Sequence, residues 1–239
     1  KSMKVGILLT DHVMDELRIR HGDMPDFYKF IFNKVDPSMS LTIFDVVQNE
    51  YPEEINEFEG YLITGSRESV YDQFNWIKTL KKFVLKLHTK KKPLIGVCFG
   101  HQLIAQVFGG IAEEAKEGWT VGNQTYDFKK KFPWCEDDIS SLKLLHSHKD
   151  QVTKLPKGAN LIASTKKVPI AMFHIGNHIL CHQGHPEFTS EYVFDVATKR
   201  RKILGEQTYL EAVNNLQNTI PDNRIVAKWW IDFLRFNNQ

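Results

Sequence analysis

Gly96-Val97-Cys98-Phe99-Gly100 sets one thiol between two glycines, directly after the apolar run Pro93-Leu94-Ile95 and directly before His101-Gln102-Leu103-Ile104-Ala105-Gln106-Val107-Phe108, which has helical periodicity. A G-x-nucleophile-x-G pattern where a strand runs into a helix is an elbow, in which the chain turns sharply and holds one side chain exposed at the strand end. The flanking glycines answer a steric demand, because Cβ atoms there would meet the neighbouring strand and helix. At a helix N-terminus, unpaired amide N–H groups and the macrodipole favour a thiolate. The Phe99 N–H would then face an oxyanion formed on a carbonyl attacked by the sulfur. Cys98 is therefore expected to act as a nucleophile. Cys135, in a polar stretch, and Cys181, inside an apolar strand, read as ordinary thiols.

A cysteine nucleophile needs a base, and the base needs a third group to orient it. Of ten histidines, His185 in Leu180-Cys181-His182-Gln183-Gly184-His185-Pro186-Glu187-Phe188 is best placed, since it follows a strand and a glycine and sits in a loop fixed by proline. Glu187 lies two residues on, close enough for a turned backbone to bring its carboxylate to the far imidazole nitrogen. His178, Cys181, His182 and His185 could instead suggest a metal site, but that spacing gathers ligands on a helix and the surroundings read as strand. No metal and no cofactor is expected. His146-Ser147-His148-Lys149-Asp150 reads as a hydrogen-bonded loop, and His12, His21, His88 and His174 as surface or packing residues without partners.

Positioning these groups falls to strands alternating with helices. Apolar runs predict strands at Met3–Leu9, Ser40–Val47, Gly60–Ser66 and Pro93–Val97, with a helical patch at Phe27–Phe32 and an amphipathic helix over Trp76–Leu87. Shorter, more polar strands are expected near Trp119–Phe128, Asn160–Ser164, Ile170–His174 and His178–Gln183, followed by a helical C-terminal extension over 200–239. Such βαβ alternation argues for an α/β fold with a mostly parallel sheet covered on both faces and its chemistry at the carboxyl ends of the strands. The 239 residues, with 42% hydrophobic and 25% charged, fit a single domain over 1–239. Lys1-Ser2 ahead of Met3 is expected to be a non-native remnant.

The formal charge of +2 offers no strong field for nucleic acid or an anionic membrane, and no apolar run reaches the roughly 20 residues that span a bilayer. Three cysteines make no disulfide framework, and a cytoplasmic, reducing setting is expected.

Together, Gly96-Val97-Cys98-Phe99-Gly100-His101-Gln102 and His185-Pro186-Glu187 resemble the class I glutamine amidotransferases. Leu62-Ile63-Thr64-Gly65-Ser66, Glu117-Gly118-Trp119 and His146-Ser147-His148-Lys149-Asp150-Gln151-Val152 extend the likeness over most of the chain. The resemblance implies a flavodoxin-like, three-layer fold and a triad of Cys98 as nucleophile, His185 as acid and base, and Glu187 as its orienting carboxylate. It also implies an oxyanion hole from the backbone N–H groups of Gly65 and Phe99, with Ser66 and Gln102 as further substrate contacts. Thr64-Gly65-Ser66-Arg67 departs from the S-G-G-P common at the family's oxyanion strand.

With no synthetase segment following, the chain looks most like the stand-alone, γ-glutamyl peptidase-like branch. Arg18-Ile19-Arg20-His21-Gly22-Asp23 and Val70-Tyr71-Asp72 are similar to that branch and are expected at the pocket rim. The implied activity is hydrolysis of a γ-glutamyl amide, in glutamine or another small γ-glutamyl compound, through a thioester. Two alternatives are a glutaminase subunit that supplies ammonia to a separate synthetase partner, and a catalytically silent domain that binds a metabolite or a partner.

Overall fold

A computed structural model describes residues 2–239. Its main sheet has nine strands: β1 (Lys4–Leu9), β2 (Ser40–Asp45), β3 (Gly60–Ile63), β4 (Leu94–Val97), β6 (Thr120–Phe128), β7 (Ser141–His148), β9 (Asn160–Ser164), β10 (Met172–Ile175) and β11 (Ile179–His182). Their spatial order is β2-β1-β3-β4-β11-β10-β9-β6-β7, while β5 (Ile111–Glu114) and β8 (Asp150–Lys154) form a separate antiparallel pair. The pairings from β2 through β11 are parallel and those from β11 to β7 antiparallel, so only β10 and β6 run against the other seven strands.

Every residue of β3, β4 and β11 is buried, as expected of strands covered on both faces. On one face α2 (Met24–Val35) and α8 (Asn223–Asn237) pack Tyr28, Phe32, Trp229 and Trp230 against the sheet. On the other, α3 (Asn75–Thr89) and α4 (Phe99–Val107) supply Ile77, Leu80, Phe99 and Leu103. The result is a three-layer α/β arrangement. A further apolar cluster joins α5 (Ser190–Lys199) and α7 (Glu206–Asn218) to β6 and β7.

The remaining α-helices among the described residues are α1 (Asp15–His21) and the single turn α6 (Arg201–Leu204). The helix expected at Phe27–Phe32 begins three residues earlier because Asp23 and Asp26 form a capping box and Pro25 sits in the first turn. His146 and His148 lie on strand β7 rather than in a loop, their buried rings joined by a hydrogen bond. No helix among the described residues is long and apolar enough to cross a membrane.

Candidate active site

The elbow follows from close approach of backbones. A Cβ on Gly100 would stand 2.5 Å from the Ile63 carbonyl oxygen, and one on Gly96 would stand 2.7 Å from Ile104 Cδ1 and 2.8 Å from the Gly100 carbonyl carbon. Between them Cys98 caps α4 with φ 54° and ψ −102°, a conformation costly for a side-chain-bearing residue. Two backbone bonds hold it there: Cys98 N–H donates to the His182 carbonyl at 3.1 Å, and Gln102 N–H to the Cys98 carbonyl at 3.0 Å.

Because β4 and β11 are adjacent and parallel, with Val97 opposite His182, their carboxyl ends emerge side by side. His185, three residues past β11, is pinned by its N–H to the Leu145 carbonyl at 2.8 Å. Its Nδ1 lies 2.8 Å from Glu187 Oε2, which also accepts the Tyr28 hydroxyl at 2.8 Å. The imidazole stacks on Phe188 with centroids 3.9 Å apart and planes 7° from parallel. Gly65 adjoins both groups, since a Cβ there would lie 2.9 Å from His185 Cε1 and 3.5 Å from Cys98 Cβ. Burial disfavours a charged His185, but the negative charges of Glu187 and Cys98 outweigh it and push the imidazole up to about 10.

Cys98, His185, Gly65 and Ser66 line one cavity of about 690 Å³, together with Arg67, Tyr192 and Arg200. Gln102 does not line it: its Nε2 donates to the Asp150 carbonyl at 2.9 Å and to Gln183 Oε1 at 3.2 Å. The Phe99 side chain is buried, packed against Trp76 with centroids 5.6 Å apart. Arg18 reaches the cavity wall, whereas Ser69 and Tyr71 bond Asp150 instead.

A directed set of hydrogen bonds stiffens the loop before His185. The Asp150 carbonyl can only accept, so His148 Nδ1 donates to it at 2.8 Å and leaves Nε2 to accept from His146 Nδ1 at 2.8 Å. His146 Nε2 then accepts the Tyr126 hydroxyl at 2.6 Å, and that hydroxyl accepts the Gly184 N–H at 2.9 Å. His182 is fixed similarly, accepting from Trp230 Nε1 at 2.9 Å and donating to the Gly184 carbonyl at 2.8 Å. Burial holds His148 down to about 3 and His182 down to about 4, which keeps both rings neutral.

All four histidines expected to be partnerless find a partner in the structure, His174 Nδ1 donating to the Gly176 carbonyl at 2.7 Å. His12 sits between Asp23 at 2.6 Å and Asp45 at 3.1 Å, and His21 meets Asp195 at 2.6 Å. These carboxylates come from distant elements, so no local pattern announced them. His88 likewise meets His178 at 2.9 Å.

Sequence reasoning missed Tyr28, Gln183 and Arg200. Gln183 offered a signal, a polar amide at the end of an apolar strand; Tyr28 and Arg200 offered none. No group of three or more His, Cys, Asp or Glu among the described residues is arranged to hold a metal ion.

Fold and site together define a three-layer α/β protein with a cysteine elbow at the carboxyl edge of its parallel strands. The chain belongs to the class I glutamine amidotransferase family, whose model, Glutamine amidotransferase class-I, matches residues 24–193. It is 30% identical over 203 residues to gamma-glutamyl peptidase 3 of Arabidopsis thaliana, covering 81% of this chain and 82% of that one. It is also 30% identical over 197 residues to the glutamine-hydrolyzing GMP synthase of Bacteroides fragilis, covering 76% of this chain and 37% of that one. Among solved structures, a glutamine amidotransferase from Thermotoga maritima superimposes with a TM-score of 0.74 at 19% identity, covering 98% of this chain and 99% of that one.

Proposed function

We propose that the chain hydrolyses the γ-glutamyl amide bond of a small γ-glutamyl compound, with Cys98 as nucleophile, His185 as proton carrier and Glu187 as its orienting carboxylate. The observation that carries this reading is the side-by-side emergence of Cys98 and His185 from adjacent parallel strands into one cavity, with His185 Nδ1 on Glu187.

The Cys98 thiolate attacks the γ-carbonyl carbon, a C–S bond forms, and the carbonyl π pair moves onto oxygen. Backbone N–H groups of Gly65 and Phe99 are the proposed donors to that oxyanion. As the C–N bond breaks, protonated His185 gives its proton to the departing amine or ammonia, leaving a γ-glutamyl thioester. Water then attacks the thioester carbonyl and its proton passes to His185. The C–S bond breaks, releasing glutamate and restoring the thiolate. A cavity of about 690 Å³ falls in the range that encloses a drug-sized ligand and favours an amide bearing a substituent over free glutamine.

The match to a γ-glutamyl peptidase over four-fifths of both chains supports the same choice. A second reading, a glutaminase that hands ammonia to a separate synthetase, draws on the GMP synthase match, which covers only 37% of that longer protein.

The test is to incubate the purified chain and Cys98→Ala with glutamine and a panel of γ-glutamyl peptides, following free glutamate and ammonia. Turnover of the peptides that Cys98→Ala abolishes is the expected result. Turnover surviving in Cys98→Ala removes the mechanism. Activity on glutamine alone, dependent on an added partner, moves the assignment to the second reading.

A further inference from the structure

The cavity wall carries three arginines, and two are already engaged. Arg67 pairs with Asp11 at 3.0 Å, and Arg18 lies 3.3 Å from Asp15 while its Nε donates to the Val13 carbonyl. His12, also in the wall, is held between Asp23 and Asp45. Arg200, between α5 and α6, makes no ion pair among the described residues. Its one side-chain hydrogen bond among the described residues is a long one, Nη1 to Ser147 Oγ at 3.4 Å. One face of the guanidinium lies over the Trp119 ring, 5.2 Å from its centroid, which fixes its plane and leaves its edge to donate.

A half-buried guanidinium in a pocket wall without an anion is an incomplete arrangement, since burial penalises its charge and pulls it below its ordinary value. Arg200 lies beyond residues 24–193, the segment that the family model matches.

We infer that Arg200, braced on Trp119 beside Ser147, is the seat for a carboxylate of the substrate, in the cavity that holds Cys98. This rests on the γ-glutamyl reading above. The carboxylate has two sources in such a compound: the α-carboxylate of the glutamyl portion, or an acid on the departing amine.

The experiment compares kcat/KM of the wild type and Arg200→Gln on three compounds: γ-glutamylglycine, γ-glutamylmethylamide, which keeps only the α-carboxylate, and γ-glutamylglycine with its α-carboxylate amidated. A charge-assisted bond of this kind is worth roughly 10- to 100-fold. Arg200→Gln is expected to lose about that factor on each compound that keeps the recognised carboxylate. On the compound lacking it, wild type and variant converge, which names the source. Arg200→Lys, which keeps the charge but not the planar fork, should recover part of the loss as lower KM. An equal loss on all three compounds overturns the subsite.

Failure of the wild type on all three overturns the γ-glutamyl reading instead. Arg200 is then judged by calorimetric titration of Cys98→Ala with glutarate, which Arg200→Gln must weaken at least tenfold for the subsite to stand.

Discussion

The Gln183 side-chain amide donates to the Cys98 sulfur at 3.3 Å. Its orientation is set from behind, because Gln183 Oε1 accepts from Gln102 Nε2 at 3.2 Å, and an amide held by its oxygen must turn its NH₂ the other way. The thiol thus faces a donor from β11's end in addition to the amides of α4, and donors stabilise a sulfur anion more than a thiol.

Gln183→Met keeps the length and removes the donor. The rate of Cys98 alkylation by iodoacetamide at neutral pH should fall about tenfold, the equivalent of one charge-assisted hydrogen bond of roughly 1.5 kcal/mol. Gln183→Glu, which points a carboxylate at the sulfur, should be slower still. Alkylation at the wild-type rate in both variants would show that the amide does not act on the thiol.

Gly65→Ala tests the steric side of the site. The new methyl would stand 2.9 Å from His185 Cε1, tighter than contacts that real Cβ atoms make, and the ring is already stacked on Phe188. Turnover should drop by at least about tenfold, as expected when a reacting group is misplaced by an ångström or so, with the melting temperature little changed. Full activity in Gly65→Ala would mean that the imidazole has room to move without consequence.

The elbow conformation of Cys98 should be measurable as stored strain. With φ at 54°, Cys98→Gly relieves a penalty of about 1–2 kcal/mol that Cys98→Ala retains. The glycine variant should therefore unfold at higher urea than the alanine variant, with both inactive. Equal midpoints, or a more stable alanine variant, would show that the turn is relaxed.

Buried histidines make stability depend on pH with a definite sign. Burial holds His101 and His148 down to about 3 and His182 down to about 4, so between those values and the ordinary 6.5 the unfolded chain binds protons that the fold refuses. Stability should fall as pH drops below about 6.5, these three groups contributing up to about 4 kcal/mol per pH unit. His185, raised to about 10, acts in the opposite sense: its contribution is full below 6.5 and is lost as pH rises through 10. Urea midpoints measured from pH 4.5 to 10 should trace a maximum near neutrality. A midpoint that stays level down to pH 4.5 would contradict the neutral buried rings.

Much of the frame was legible in the residues themselves. Periodicity and glycine spacing located β1, β3, β4, α3, the elbow at Cys98 and the His185–Glu187 pair, because each depends on neighbours a few residues away. The strand over Ser141–His148 was not legible, since His146, Ser147 and His148 look like loop until Tyr126 and Asp150 supply their hydrogen-bond partners.

What the sequence by itself determined is therefore local: a thiol at a strand-to-helix turn and an imidazole with a carboxylate two residues on. Only the tertiary structure decided that β11 lies beside β4, and hence that these two fragments meet at all. The same folding brought the Tyr28 hydroxyl to Glu187 from 159 residues away, turned Gln183 toward the sulfur and set Arg200 in the cavity wall with no ion pair among the described residues. The physical reason is that hydrogen bonds and charge pairing are short-ranged, while the strand order that brings distant residues within that range follows from how the whole chain buries its apolar faces.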